Sequence, residues 1–221
     1  MWDNQTIMMI VEGTGVTLYM TLVSALIAYG LGLPMGILLV VTAPGGLKPN
    51  KVIYKILDVL VNIVRSIPFL ILLMLIIPFT RMIVGKSYGA TATIVPLSLA
   101  AAPFVARLVE SSLLEVDHGV IEAAQSMGAG LWMIIWKVLL PESRTSLIVG
   151  ATIALGTILG YSAMAGVVGG GGLGDIAIRY GYHRYQGDIM IVTVVLLVVL
   201  VQILQVIGTR LSKKLDRRIT G

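Results

Sequence analysis

The sequence predicts an all-α membrane protein of five transmembrane helices, N-terminus outside and C-terminus inside, with cytoplasmic helices between the third and fourth spans. Three observations carry that prediction. Apolar residues make up 57% of the 221, charged residues only 12%, and the mean hydropathy is +0.96, far from a soluble composition. Charge-free runs cover 13–47, 66–80, 87–106, 145–174 and 189–209, and four of them reach the ~20 residues that cross a ~30 Å hydrocarbon core. The basic residues are also unevenly shared. With the N-terminus outside, the inner segments hold 11 (Lys48, Lys51, Lys55, Arg107, Lys137, Arg144, Arg210, Lys213, Lys214, Arg217 and Arg218) against 4 outside (Arg81, Lys86, Arg179 and Arg184). Positive charge stays inside, so the net charge of +5 reports topology and not a nucleic-acid surface.

The first span is placed at 16–41. Ser24, Ala28, Gly32 and Gly36 recur at four-residue spacing there, a stripe of small residues that lets helix backbones approach. No basic residue precedes this span, so it does not read as a cleavable signal. Ala43–Asn50 (APGGLKPN) is a turn signal. The second span, 56–80, contains Asp58 and Arg65. A charge at mid-bilayer costs about 2.5–3.5 kcal/mol on insertion scales, so Arg65 either lines a polar cavity, with Asp58 as partner, or snorkels to the interface. The third span is placed at 90–112, the fourth at 145–167 and the fifth at 189–210. Pro34, Pro68, Pro78, Pro96 and Pro103 fall within or at the ends of spans, where each permits a kink. Gly156 and Gly160 repeat the small-residue pattern on the fourth span, and such stripes are read as packing inside the bundle in preference to a homodimer seam. No repeat, linker or second domain is visible across 1–221.

Between the third and fourth spans lies a polar break that cannot sit in a bilayer. Asp117 is placed to cap a short helix beginning near Gly119, with Glu122 close to its positive end. Gly128 stands where a left-handed C-cap would end that helix. A second amphipathic helix offers Leu131, Ile134, Ile135 and Val138 on one side before Leu140-Pro141 leads into the next span. A short helix, a glycine corner and an apolar helix together make a surface for another protein.

Glu122-Ala123-Ala124, Gly128, Val138 and Leu140-Pro141 together resemble the cytoplasmic coupling loop of importer-type ABC permeases. Val64–Phe69 (VRSIPF), Pro78–Arg81 with Ile83–Gly85, Gly160–Gly166 (GYSAMAG), Gly172–Gly174 and Tyr180–Tyr182 are similar to the methionine-uptake branch of that family. The resemblance implies a homodimer of this subunit in a bacterial inner membrane. Two ABC ATPase subunits would carry ATP and magnesium, and an external methionine-binding lipoprotein would deliver cargo. It assigns ATPase coupling to Asp117, Gly119, Glu122, Ala123, Ala124, Met127, Gly128, Leu131 and Pro141 within 117–141. It places Met164, with Tyr161 and Arg65, on the pathway, Met164 as a gate at the dimer axis, although methionine on an apolar helix also serves as simple packing. A permease for another amino acid or small solute, or a self-sufficient secondary transporter, are the rival readings.

The chain offers no chemistry of its own. Gly169–Gly174 formally contains G-x-G-x-x-G, but no strand precedes it, so it reads as a flexible external loop that meets the binding protein. There is no G-x-x-x-x-G-K-[ST], no cysteine and no paired metal-ligand spacing. His118 and His183 fall on opposite sides of the membrane in this topology. No catalytic residue, metal site or cofactor is expected.

Overall fold

The computed structural model describes residues 2–215; Arg217 and Arg218, counted above on the inner side, lie outside the described residues. The regular elements among the described residues are all helical. Four are long and apolar enough to cross a membrane: α1 (Asn4–Thr42), α5 (Ala90–Leu114), α9 (Arg144–Ala165) and α11 (Gly187–Leu215). A fifth span exists if the bent pair α2 (Lys51–Ser66) and α3 (Phe69–Leu75) is counted as one. The remaining helices are short: α4 (Ile77–Val84), α6 (His118–Ser126), α7 (Leu131–Ile134), α8 (Leu140–Glu142) and α10 (Gly172–Ile176).

Two span boundaries depart from expectation. The second span is not one helix over 56–80 but α2, α3 and α4, broken at Ile67-Pro68 and again at Ile76. Pro68 has no N–H and pushes Ile67 out of the helical region, so the helix stops although the apolar run continues. Pro78, in the first turn of α4, sits where a missing N–H costs nothing. The first helix begins at Asn4 and not at 16. Asp3 caps it, accepting from the Thr6 N–H at 2.8 Å and the Thr6 hydroxyl at 2.7 Å. Those bonds hold the Asp3 carboxyl below the usual carboxylate range. Hydropathy registers only the apolar part of a helix, whereas capping sets its start.

The chain folds as two units. One contains residues 2–27, 67–101 and 155–205. Its core is Met20, Phe69, Leu73, Leu97 and Ala165, with Tyr161 packed on it and stacked on Phe69 at 4.6 Å between ring centroids. Gly169–Gly174 belongs here and is not a flexible loop. Gly172, Leu173 and Gly174 are buried, and the Leu173 N–H donates to the Thr17 hydroxyl of α1 at 2.8 Å. At Gly172 (φ +76°) a Cβ would lie 2.6 Å from that same hydroxyl oxygen. Glycine is required there for both conformation and room; the run is a packed corner.

The other unit contains 28–66, 102–154 and 206–215. Leu39, Val61 and Ala106 form its apolar centre, with Met35, Tyr54 and Leu57 packed against them. The small-residue stripe of α1 works here as close packing. A Cβ on Gly32 would lie 2.6 Å from the Ala102 carbonyl oxygen, and one on Gly36 the same distance from that of Ala106. The backbones of α1 and α5 meet because those side chains are missing. Gly156 and Gly160 of α9 behave otherwise: a Cβ on either finds nothing within 4 Å, so among the described residues neither has the close packing partner expected inside the bundle.

Gly36→Leu should therefore lower the midpoint of thermal unfolding in detergent, by an overpacking cost of about 1–3 kcal/mol, while Gly30→Ala, whose Cβ meets nothing within 4 Å and which favours helix, should not lower it. Size-exclusion after stepwise heating reads both. Equal midpoints would mean that α1 and α5 do not meet as described.

Candidate coupling site

The polar segment after α5 folds through its own local bonds. Asp117 is the N-cap of α6, its carboxylate accepting from the Gly119 N–H at 2.7 Å. A Cβ on Gly119 would sit 3.0 Å from that carboxylate oxygen, so the glycine leaves room for the cap. The far end closes as a Schellman motif. Ala129 N–H donates to Ala124 O at 3.0 Å, and Gly128 N–H to Gln125 O at 2.9 Å, with Gly128 at φ +82°. Both orphaned ends of α6 are thus satisfied without a partner.

The chain then re-enters helix at Leu131, passes through a single π-helical stretch (Ile135–Leu139), and continues as α8. Only Ser143 separates α8 from α9, and its hydroxyl bonds Leu139 O at 2.7 Å. Pro141 therefore lies in a helical first turn and does not redirect the chain as an abrupt exit. Of the four residues expected on one side as a surface for another protein, Ile134 and Ile135 are buried and Leu131 and Val138 half-buried, so that apolar face is used up in packing on this chain itself.

The opposite face is the finding. Met127 is 82% exposed, Trp132 72%, and Met133 and Trp136 58% each. Large apolar side chains set on a polar segment mark a surface for a partner, and tryptophan and methionine suit such surfaces. Apolar periodicity alone points to Leu131, Ile134, Ile135 and Val138, whereas the fold presents Trp132, Met133 and Trp136 outward. Glu122 and Ala123 are exposed, Ala124 is buried, and Glu122 lies 3.1 Å from the His118 ring nitrogen. The expected coupling residues Asp117 to Pro141 thus fall on one continuous segment, with Ala124 and Leu131 facing inward and the others presented outward.

The pathway residues are not gathered. Tyr161 is held in a core by its stack on Phe69, whereas Met164, one turn on, is exposed. Their three-residue spacing does not give them one environment. Arg65 is exposed, and Asp58 does not pair with it. The partner of Asp58 is Arg107 of α5. Arg107 Nη2 reaches the Asp58 carboxylate and, at 2.9 Å, Asn62 Oδ1, while Nη1 donates to Glu110 Oε2 at 2.6 Å. A separation of 49 residues leaves no trace in helical spacing. Lower down, the Ser146 hydroxyl of α9 lies 3.0 Å from the Ser112 hydroxyl and donates to the Glu115 carboxylate at 2.9 Å, joining the two roots of the segment. No cluster of three or more potential metal ligands occurs among the described residues.

An apolar helical chain with a locally capped, apolar-faced polar segment has the form of a transporter's membrane subunit, and comparison with known proteins agrees. Residues 28–221 match the family of binding-protein-dependent transport system inner membrane components, and the chain belongs to that family. It is a multi-pass inner-membrane permease component of an ABC importer, and hydrolysis of ATP falls to other subunits. A probable D-methionine transport system permease protein of Vibrio cholerae is 53% identical over 95% of this chain and 93% of its own length. The D-methionine transport system permease protein of Escherichia coli K12 is 52% identical over 72% of this chain and 73% of its own. A solved chain of the MetNI methionine ABC transporter, in an inward-facing conformation, superposes with a TM-score of 0.96 at 49% identity, covering 98% of this chain and 100% of that one. An amino acid ABC transporter solved with histidines shares the fold at a TM-score of 0.78 and 20% identity, covering 97% of this chain and 99% of that one.

Asp117→Ala should destabilise α6 by about 1 kcal/mol, with Asp117→Ser largely restoring it. Amide hydrogen exchange over residues 118–126 reads the difference. Protection equal in wild type and Asp117→Ala would deny the cap its role.

Proposed function

We propose that this chain is the permease subunit of a methionine importer, acting as a homodimer on two ABC ATPase subunits that grip segment 117–141. The observation that carries the docking assignment is the segment itself: α6 closed at both ends, an apolar inner face, and Met127, Trp132, Met133 and Trp136 presented outward. Methionine as cargo is supported by the identity of about one half to methionine permeases over most of the chain. The excess of basic residues in the segments flanking α1–α2, α5–α9 and the end of α11 supports N-out, C-in, with the docking segment in the cytoplasm. An external binding lipoprotein would then deliver cargo at the opposite side. ATP and magnesium belong to the ATPase subunits, because no Walker loop exists on this chain.

A second copy is supported by what α9 and α11 leave open. Gly156 and Gly160 have no neighbour at the Cβ position, and Leu159, Gly160, Ala163, Leu197, Val198 and Val201 line an apolar groove of about 260 Å³. Mechanistically, closing of the ATPase pair on ATP draws the two docking segments together and turns the permease bundles outward; hydrolysis returns them. Transmission of this kind is a switch between two packed states.

The first test is co-purification of the natively expressed protein in mild detergent. Stoichiometric recovery of a Walker-containing ATPase is expected; recovery of the permease alone would restore the secondary-transporter reading. Within that complex, Gly128→Asp should abolish ATPase binding while the near-isosteric Gly128→Asn, which shares the left-handed strain, retains it. Met164→Ala should raise basal ATP hydrolysis or uncouple it from uptake, measured in proteoliposomes; wild-type values for both would end its assignment as a gate.

A further inference from the structure

We propose that Arg107 is a positioning residue for transport: it fixes α2 to α5 so that displacement of the docking segment moves α2 with it. The inference rests on reading 117–141 as the ATPase dock. Arg107 stands on α5, which ends at Leu114, and α6 begins at His118. The Ser146 contacts to Ser112 and Glu115 bind the start of α9 to the end of α5. Both roots of the dock therefore form one body, and Arg107 projects from that body to α2.

What it grips is built for direction. One guanidinium nitrogen serves the Asp58 carboxylate and Asn62 Oδ1, and also lies 3.4 Å from the Asp58 carbonyl oxygen; the other holds Glu110, one turn on along α5. Asn62 in turn donates to Asp58 at 3.3 Å, so a full turn of α2 is engaged. Glu110, 9% exposed, anchors the planar fork to its own helix and aims the other edge outward from α5. Beside this cluster α2 also makes an apolar contact in this unit: Tyr54, Leu57 and Val61 cluster with Met35, Leu39 and Ala106. Apolar contacts are non-directional and permit sliding along the axis. A guanidinium fork fixes both position and orientation. The charge placement agrees, since arginine stays protonated and its two carboxylates lie within the same cluster. Arg65, the charge that sequence alone singled out for Asp58, is exposed and takes no part in this cluster.

The experiment measures ATP hydrolysed per methionine taken up, in proteoliposomes holding the permease, its ATPase and its binding protein. Arg107→Gln should keep the ATPase bound and hydrolysing while uptake falls, raising the ratio severalfold; Arg107→Lys, charged but unforked, should fall between. A parallel loss of uptake and hydrolysis, or an unchanged ratio, with the complex intact overturns the proposal. Should Arg107→Gln fail to assemble, the absence of cysteine in the chain provides a second route. Asp58→Cys/Arg107→Cys/Glu110→Gln removes all three charges, and a short bismaleimide then replaces the ionic link by a covalent one. Recovery of the wild-type ratio on cross-linking supports the proposal; equal ratios before and after overturn it. Gly128→Asp, run alongside, keeps the two readings apart: if that variant retains the ATPase, the dock is misassigned whatever Arg107 does.

Discussion

A peptide group or charge left unpaired in hydrocarbon costs several kcal/mol, and the layout of α5, α6 and α9 follows from that cost. The segment joining α5 to α9 carries Glu115, Asp117, His118, Glu122, Lys137 and Glu142, too many charges to bury without partners. It leaves the apolar layer and must then settle its own helix ends. Asp117 satisfies one end and the Ala129–Ala124 and Gly128–Gln125 bonds the other. A helix whose ends are closed by its own residues loses less freedom when a partner binds it, which reduces the ordering entropy of association.

The same constraint divides the helix packing into two kinds. Apolar helices gain little hydrophobic energy from one another when the solvent is lipid, so close van der Waals approach has to serve. In α1 and α5 it is achieved by Gly32 and Gly36, whose missing side chains admit the Ala102 and Ala106 carbonyls. On α9, a Cβ at Gly156 or Gly160 would meet nothing within 4 Å, and α11 leaves Ile191, Val195, Val198 and Ile207 mostly exposed. Those surfaces are not defects of a chain that lives in a membrane; lipid covers such faces, and in the proposed dimer a second copy covers part of them.

How much of this was legible in the sequence depends on the range of the interaction. Asp117, Gly119 and Gly128 were readable because caps are settled within a few residues, and the structure places all three as their chemistry implies. The existence of the spans was readable from hydropathy, but the break at Ile67-Pro68 was not, since an apolar run continues across it. Gly169–Gly174 looked like a loop by composition; the Thr17 hydroxyl, 156 residues away in sequence, makes it a packed corner. The Asp58–Arg107 link and the outward turn of Trp132 and Trp136 are tertiary facts. Helical periodicity separated the faces of α7 correctly without saying which one the fold would need for itself.

The two faces of the proposed docking segment also account for a polar loop so rich in large apolar residues. Ile134, Ile135 and Leu139 are consumed in seating the segment on its own protein. Docking must then draw on a second set, Met127, Trp132, Met133 and Trp136, and a short helix has to be apolar on both sides to supply both. Aromatic rings give that outer face area at a low cost in side-chain entropy. Methionines give it tolerance of small displacements, which a contact maintained through two conformations requires. The inner face must not share that tolerance, because slack between segment and bundle would absorb the stroke. Branched aliphatic side chains inside, the Ser143 and Ser146 bonds at the root and the Arg107 fork above it are stiff choices, and they stand on the side where stiffness is needed.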